Sequence, residues 1–363
     1  MADRVPHYGT SKPMSTPEQP PTNPARRWLR AIVPVLGFLL SLGAMVWAVR
    51  AALSEDNRAQ LDHLRDASPM QLITMMTLAA ISVAFNGIIF WATLRPVHRI
   101  RVTDVISTNA IATFLAYLPF KLSVIVRVAI HNRRDGVPIL TIGAWFAAVG
   151  AFMLLTLGPI TGASVWLKNT SLLWWTLVIV GVTFSTLLGS WVARFFAGER
   201  GLVRLKRLPI PDRVIDSEAG TKIRSAFVMV GDLKAASIAN LFRLLDVLAF
   251  AGRFIVAAQI LNLPISASDA LLLGGTYFLI GVFSPFGQIG VREAGTIGFA
   301  SLVGISAEAA GADSGAAPIA VAVVFVTAVE GAVNLVCAGF GIAWLRAGRL
   351  LRSSTGDAYD SDA

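Results

Sequence analysis

Residues 72–94 form an apolar run, LITMMTLAAISVAFNGIIFWATL, that contains no charged residue. A helix of roughly 20 apolar residues is long enough to cross the hydrocarbon core of a bilayer. Comparable runs recur along the chain, the first being AIVPVLGFLLSLGAMVWAV directly after Arg30. This recurrence predicts an all-α polytopic membrane protein.

The composition supports the same fold class. Charged residues make up 15% of the chain, whereas about 25% is typical of soluble domains. In a soluble protein the net charge of +9 would suggest nucleic-acid binding, but here most of the excess lies in loops and tails. Positive cytoplasmic loops and anionic lipid headgroups account for such an excess. We therefore expect membrane lipids as partners and no nucleic acid.

The sequence lacks the common signatures of metal and cofactor sites. Cys337 is the only cysteine, and the four histidines are scattered without a metal-ligand spacing. No Walker loop, HExxH or GxSxG motif is present. We expect no catalytic residues, no cofactor and no bound metal, and thus a protein that is not an enzyme.

Six segments are predicted to span the membrane: the run after Arg30, followed by segments near 72–94, 138–160, 171–195, 237–260 and 317–345. The first could instead be a secretory signal, although its apolar part is long for one.

The predicted membrane domain covers residues 28–348 and lies between two polar tails. Residues 1–27 are predicted to be a disordered cytoplasmic tail, and residues 349–363 a short polar one. Within the domain, the second half of the basic loop 196–235 overlaps KIRSAFVMVGDLKAAS, residues 222–237, whose pattern favours an amphipathic surface helix.

Two further apolar segments are interrupted near their middle. Pro119 divides residues 104–136 into apolar pieces of roughly 14 and 11 residues, and at about 1.5 Å per residue neither crosses roughly 30 Å of hydrocarbon. The second segment contains LIGVFSPFGQIGVREAGTIGFAS, residues 279–301, with the adjacent charges Arg292 and Glu293 at its centre. Each segment favours a re-entrant helical hairpin. The alternative is eight ordinary spans, two of them short.

The charges that flank the hairpins predict their orientation. The first hairpin has arginines on both sides, which favours entry from the cytoplasm, whereas the second has neutral and acidic flanks. Entry from opposite faces is typical of an inverted repeat. FLAYLPFKLSVIVR and FLIGVFSPFGQIGVR also share an aromatic-rich run, Pro-Phe and a later Arg. We expect both termini and the basic loop in the cytoplasm, in a protein of the cell membrane.

The motif SPFGQIGVREAG resembles the Pro–Gly–Gly–x–Arg–Glu signature of the lysylphosphatidylglycerol synthase transmembrane-region family, also called the flippase-like domain family. LPFKLSVIVRVAIHNRRDGVP resembles the upstream motif of that family, and the resemblance extends loosely over residues 70–345. The upstream motif departs from the family pattern, because Ser123 and Val124 stand where Gly and Glu are expected. Any role of that Glu is absent here or displaced.

The resemblance implies a lipid translocator. Larger members of the family carry a C-terminal aminoacyltransferase domain, whereas this chain ends soon after its last predicted span, so we expect a stand-alone member. Relatives of that kind are linked to phospholipids, polyprenyl-linked sugars or hopanoid-pathway lipids. The resemblance therefore leaves the lipid open.

The second hairpin carries the features of an anion site. A helix that begins inside the membrane presents unpaired N–H groups and a positive dipole end. Gly287 and Gly290 allow close approach of the backbone, and Arg292 offers a planar donor suited to phosphate. With Gln288 and Glu293 they are predicted to bind a lipid headgroup. The alternative is that Arg292 and Glu293 neutralise one another.

The first hairpin has two basic counterparts, Lys121 and Arg127. They are predicted to contact the same headgroup. For Arg127 the alternative is a charge that only sets the topology, because it lies close to the basic residues that follow.

Four more charges lie deep in predicted spans. Arg243 and Asp246 are three residues apart on one helix face and can form an ion pair. Glu330 has no local partner, so it could pair with Arg253 or Arg292, or carry a proton during transport.

Three functions remain open from the sequence. The first is translocation of a phospholipid, a polyprenyl-linked lipid or a hopanoid-type lipid between leaflets. The second is a non-catalytic membrane subunit that serves a lipid-synthesis enzyme or a cell-envelope pathway, docked through the basic loop. The third is a membrane transferase acting on a lipid-linked substrate. The lipid, the energy source and the oligomeric state are not determined by the sequence.

Overall fold

The computed structural model describes residues 24–118, 121–167, 170–207, 211–284, 287–305 and 317–346. These residues form helices joined by short turns and contain no strand, which confirms the all-α prediction. Most of the two predicted tails lies outside the described residues, and the first helix begins at Pro24.

The helices follow one another in this order: Pro24–Ala52 (α1), Arg58–Arg65 (α2), Pro69–Leu94 (α3), Val102–Leu115 (α4), Leu122–Arg133 (α5), Ile139–Leu167 (α6), Leu172–Phe196 (α7), Gly198–Leu205 (α8), Asp212–Ile215 (α9), Glu218–Gly231 (α10), Leu233–Ile260 (α11), Ala267–Phe283 (α12), Val291–Leu302 (α13) and Ala317–Leu345 (α14). A short 3-10 helix, Glu55–Asn57, precedes α2.

Five of the described helices, α1, α3, α6, α7 and α14, are long and apolar enough to cross a membrane. The remaining predicted span corresponds to α11, whose 28 residues extend about 42 Å. It differs from the other five because Arg243, Asp246 and Arg253 lie within it, all of them buried. Since charges exposed to lipid are costly, α11 is placed with its charged face toward the interior of the bundle.

The predicted surface helix over residues 222–237 is wrong in its extent. Asp232 ends α10 and begins α11, because its side chain accepts a hydrogen bond from the backbone N–H of Ala235. An acceptor at this position satisfies one of the free N–H groups at the start of a helix. Moreover, α10 packs against α6 and α7, and Ala226 and Met229 are buried in that contact. The segment is thus part of the bundle.

The two interrupted segments form helical hairpins. In the first, α4 and α5 have 14 and 12 residues, or about 21 and 18 Å, so neither spans the hydrocarbon core. In the second, α12 packs against the 12-residue α13. The tips of the hairpins touch, because the backbone N–H of Gln288 donates to the carbonyl oxygen of Ala116 at 3.2 Å. The break between two short helices in each segment follows the sequence prediction.

The halves of the bundle are arranged alike around the central pair α3 and α11. The first hairpin packs through α4 on α3 and α14, and the second packs through α12 on α11 and α6. Glycines permit the tight contacts, since a Cβ at Gly87 would lie 2.8 Å from Ile106 and one at Gly274 would lie 2.9 Å from Ala251. Small residues at such contacts are characteristic of packed membrane helices.

Buried apolar side chains form two clusters. One joins α1, α3, α6, α7, α11, α12, α13 and α14, and the other joins α3, α4, α6, α7, α10 and α11. Phe250 belongs to the first cluster and Phe90 to the second, and both line a cavity that lies between the clusters. The core is therefore divided by a polar centre.

Candidate functional site

The central cavity has a volume of about 280 Å³. It is lined by α3, α4, α5, α6, α11, α12, α14 and the tip and first turn of the second hairpin. The charged residues in its wall are Arg127, Arg243, Arg253, Arg292 and Glu330. Charges buried in a bundle of membrane helices are costly unless they are paired or bind a ligand, so the partners of each one decide what the cavity can do.

Glu330 on α14 joins two arginines. Its Oε2 accepts a hydrogen bond from Arg253 Nη1 at 2.9 Å, and its Oε1 accepts one from Arg292 Nη1 at 3.1 Å. The Tyr117 hydroxyl donates to the same Oε1 at 3.1 Å, and Asn334 Nδ2 donates to that hydroxyl at 3.0 Å. Both partners that the sequence analysis considered for Glu330 are thus present together, and they connect the two hairpins with α11 and α14.

Arg292 is the second residue of α13, at the start of the second half of its hairpin. Its Nε lies 3.2 Å from Glu293 Oε1, and its guanidinium carbon lies 4.0 Å from the centre of the Tyr277 ring. Gln288 Oε1 lies 3.5 Å from Arg292 Nη1, at the outer limit of a hydrogen bond. Arg292 Nη2 has no partner among the described residues. The predicted pairing with Glu293 exists, but it leaves one donor of Arg292 free.

Glu293 is held inside the protein on both of its oxygens. It accepts from the Gly290 N–H at the helix start and from the Thr327 hydroxyl, the latter at 2.9 Å. Glu293 is fully buried and is not part of the cavity wall. This position favours a capping role over direct ligand contact.

The two glycines of the motif serve the turn and a helix contact. Gly287 has a φ of 119°, and its carbonyl oxygen accepts from the Ser284 hydroxyl. Gly290 has a φ of 85°, and a Cβ there would lie 1.6 Å from the carbonyl oxygen of Ser41 on α1. Neither glycine lines the cavity. Backbone geometry and the contact with α1 account for both glycines, and their contact with a ligand stays a prediction.

Arg243 and Asp246 form the second buried ion pair, with an N–O distance of 2.8 Å. The Ser82 hydroxyl on α3 donates to the other carboxylate oxygen of Asp246. The Arg243 guanidinium lies over the ring of Phe278 on α12, 4.7 Å from its centre. This pair therefore connects the central helices α3 and α11 with the second hairpin.

Arg127 also lies in the cavity wall, on α5 of the first hairpin. It is 6% exposed, and its Nη2 donates to Asn109 Oδ1 at 2.7 Å. Burial at this site is not typical of a charge that only sets topology. Lys121 differs: it is exposed, has a φ of 51° at the start of α5, and lies outside the cavity wall. Its contact with a headgroup stays a prediction.

Several buried polar atoms of the cavity have no hydrogen-bond partner in the part of the chain that the structure describes. They include N–H donors of Arg127, Arg253 and Arg292 and the amide oxygens of Asn86 and Asn334. Buried polar groups are normally paired, so a cluster of unpaired donors indicates a place for a polar ligand. Among the described residues, no group of His, Cys, Asp and Glu has an arrangement suited to a metal ion.

Two tyrosines and two neutral polar residues of the site were not predicted from the sequence. Tyr117 and Tyr277 flank Arg292, while Ser82 and Asn334 complete the hydrogen bonds of the ion pairs. A usable signal was present for the tyrosines, because the chain contains four and these two lie in the broken apolar segments. The serine and the asparagine have no comparable signal in a single sequence.

Two helical hairpins that meet beside an arginine-rich cavity, within a bundle of long apolar helices, define a multi-pass integral membrane protein. The family described as the lysylphosphatidylglycerol synthase transmembrane region matches residues 35–328, and the chain belongs to this family. That match confirms the resemblance carried by the motif around Arg292. Comparison with curated proteins and with solved structures gave no match.

Proposed function

We propose that the protein moves a lipid between the two leaflets, with the polar headgroup passing through the central cavity while the acyl chains remain in the bilayer. The observation that carries this proposal is the buried cavity with unpaired arginine donors at the meeting point of the hairpins. A charged headgroup in hydrocarbon is costly, and a polar cavity at mid-depth lowers that cost. Membership of a lipid-related membrane family supports the proposal.

Within this proposal the two hairpins act as the barrier on either side of the headgroup. Their tips are joined by the backbone hydrogen bond from Gln288 to Ala116 and by the Tyr117–Glu330–Arg292 contacts. A headgroup phosphate can accept hydrogen bonds from the free N–H groups of Arg292 and Arg253 without displacing the bonds of these arginines to Glu330. Charge-assisted hydrogen bonds of this kind are shorter and stronger than neutral ones.

The proposed orientation places both termini and the segment 196–235 in the cytoplasm, in the cell membrane. Six crossings return the chain to the side from which it starts, provided that each hairpin leaves by the face it entered. The basic residues around the first hairpin and in the segment after α7 support the cytoplasmic assignment.

A non-enzymatic role is part of the proposal. The three buried carboxylates near the cavity, Asp246, Glu293 and Glu330, each form an ion pair with an arginine. A general base needs a carboxylate that is free to accept a proton from the substrate. The arrangement therefore supports transport over a transferase.

The test is reconstitution of the purified chain in vesicles with a panel of fluorescent, dithionite-quenchable lipids. Lipid movement by the parent chain alone is expected, and movement only after a partner enzyme is added would favour the subunit function instead. Arg292→Ala should slow movement about tenfold or more, since each charge-assisted hydrogen bond is worth about 1.5–3 kcal/mol. Arg292→Lys should recover part of the rate, because it keeps the charge but loses the planar fork.

The control is Arg65→Gln, since the Arg65 side chain is 84% exposed on α2 and is not part of the cavity wall. It should move lipid at the parent rate. A folded Arg292→Ala protein that also moves lipid at the parent rate would contradict the role of Arg292. An Arg292→Ala protein that cannot be purified folded would assign Arg292 to holding the hairpin.

A further inference from the structure

Arg127 is the cavity arginine that has no carboxylate among its contacts in the described residues. Arg243 is paired with Asp246, Arg253 with Glu330, and Arg292 with both Glu293 and Glu330. The polar partner of Arg127 is the neutral amide of Asn109, and its Nη1 is unpaired. A cation that is 6% exposed and lacks an anion is costly to maintain. Such a position indicates that the missing anion is supplied by a ligand.

The surroundings of Arg127 hold it in place. The Asn109 side chain is fixed by donating from Nδ2 to the carbonyl oxygen of Val83 at 2.8 Å. The Arg127 guanidinium carbon lies 3.8 Å from the centre of the Phe90 ring, within the range of a cation–π contact. Phe90 is itself fixed by Trp145, whose Nε1 donates to the Phe90 carbonyl oxygen at 2.7 Å. The unpaired donor is thus preorganised at the cavity wall.

The charge balance of the cavity points to the class of ligand. Four arginines, Arg127, Arg243, Arg253 and Arg292, face three carboxylates, Asp246, Glu293 and Glu330, so the described cluster has one positive charge in excess. One negative charge brings the cluster to neutrality, and two would leave an uncompensated anion. The ammonium group of a zwitterionic headgroup would find every carboxylate of the cluster already paired with an arginine.

We propose that Arg127 is the principal ligand of the headgroup phosphate and that the cavity prefers lipids with one net negative charge carried on a phosphodiester. This assignment rests on the proposed function and specifies its substrate class. It places the phosphate on the first hairpin, whereas Arg292 and Arg253 supply secondary donors.

The experiment measures binding to the purified full chain in detergent by the change in its tryptophan fluorescence. The probes are short-chain phosphatidylglycerol, short-chain phosphatidylcholine and inorganic phosphate. The parent should bind the anionic lipid at least about tenfold more tightly than the zwitterionic one. Equal binding of the two lipids would overturn the charge selection. Binding of inorganic phosphate as tight as that of the anionic lipid would identify the free ion as the ligand and overturn the lipid assignment.

Two variants remove the charge excess in different ways. Arg127→Gln deletes the cation but can still donate to Asn109, and Asn86→Asp adds an anion at a cavity amide whose oxygen has no partner. Each should weaken anionic lipid binding about tenfold or more, while Arg65→Gln binds as the parent does. Arg127→Lys should recover part of the binding, since it restores the charge without the fork.

The stability of Arg127→Gln separates a ligand role from a structural one. Removal of an uncompensated buried cation should leave the ligand-free protein at least as thermally stable as the parent. A destabilised Arg127→Gln variant with normal lipid binding would overturn the proposal. If Arg127→Gln cannot be obtained folded, the Asn86→Asp variant decides. Normal lipid binding by Asn86→Asp would overturn the proposal, and loss of binding would support it. A parent that binds anionic lipid in this way but moves none in vesicles would refute translocation while leaving the binding site intact.

Discussion

Glu330→Gln is the substitution whose effect on stability follows most directly from the ion pairs. Glu330 is the sole carboxylate that contacts Arg253 in the described structure, whereas Arg292 also has Glu293. The substitution therefore leaves mainly the Arg253 guanidinium without a carboxylate, and it raises the excess positive charge of the cavity cluster from one to two. Removal of one partner from a buried ion pair costs about 3–5 kcal/mol. Because the glutamine oxygen can still accept one hydrogen bond, we expect the lower end, about 3 kcal/mol.

The assay is thermal unfolding in detergent, in which the folded fraction of each heated sample is measured by size-exclusion chromatography. A loss of about 3 kcal/mol should lower the apparent Tm by roughly 5 °C for a chain of this size. Glu199→Gln on α8 is the control, since Glu199 is exposed and its change should have almost no effect. The double variant Glu330→Gln/Arg253→Gln should be more stable than Glu330→Gln alone, because it strands no charge.

The opposite ranking would refute this reasoning. If Glu330→Gln melts with the parent, the carboxylate does not compensate Arg253 in the folded protein. If the double variant is less stable than both Glu330→Gln and a single Arg253→Gln variant, the two residues contribute independently. In either case the charge balance of the cavity would have to be counted differently.

Three further predictions concern topology, packing and energy coupling. A cysteine at Ala219 in a Cys337→Ser background should not be labelled from outside intact cells, and strong labelling would reject the cytoplasmic assignment of the basic segment. Gly290→Ala should destabilise the protein by several kcal/mol, because the new Cβ meets a backbone carbonyl of α1 and the φ of Gly290 is positive. Gly298→Ala is the control, since the space around its Cβ position is open, and it should be neutral or slightly stabilising in the same melting assay. If Glu330 carries a proton during transport, Glu330→Gln should abolish any dependence of lipid movement on a pH gradient, and unchanged dependence would leave Glu330 a structural partner of its two arginines.

The elements of the fold were predictable where one stretch of sequence determines them. Apolar length marks the spanning helices, and the breaks in the two hairpins follow from pieces too short to cross. The Arg243–Asp246 pair was predicted because i,i+3 spacing on one helix places both side chains on the same face. The division between α10 and α11 was missed, although Asp232 has the side chain of a helix cap.

The residues of the cavity were harder to predict from the sequence, because the contacts of the cavity join residues that are distant in the chain. Tyr117 reaches Glu330 from another helix, and Asn334 reaches Tyr117. From the sequence, headgroup binding and a role in topology were both open for Arg127, because it lies close to other arginines that set topology. Only the packing of α5 against its neighbours shows that Arg127 is buried and that Lys121 is exposed. A single sequence does not separate these two cases.

The contact between Gly290 and Ser41 has a consequence for the order of assembly. Helix α1 packs mainly against α13 and α14, which follow it in the chain after eleven other described α-helices. Domains and helices emerge from the ribosome starting at the N-terminus. Because α1 precedes α13 and α14 in the chain, it enters the bilayer before these two partners are available. The docking of α1 therefore follows the insertion of α13 and α14, and until then its contact face is open to degradation of unassembled helices.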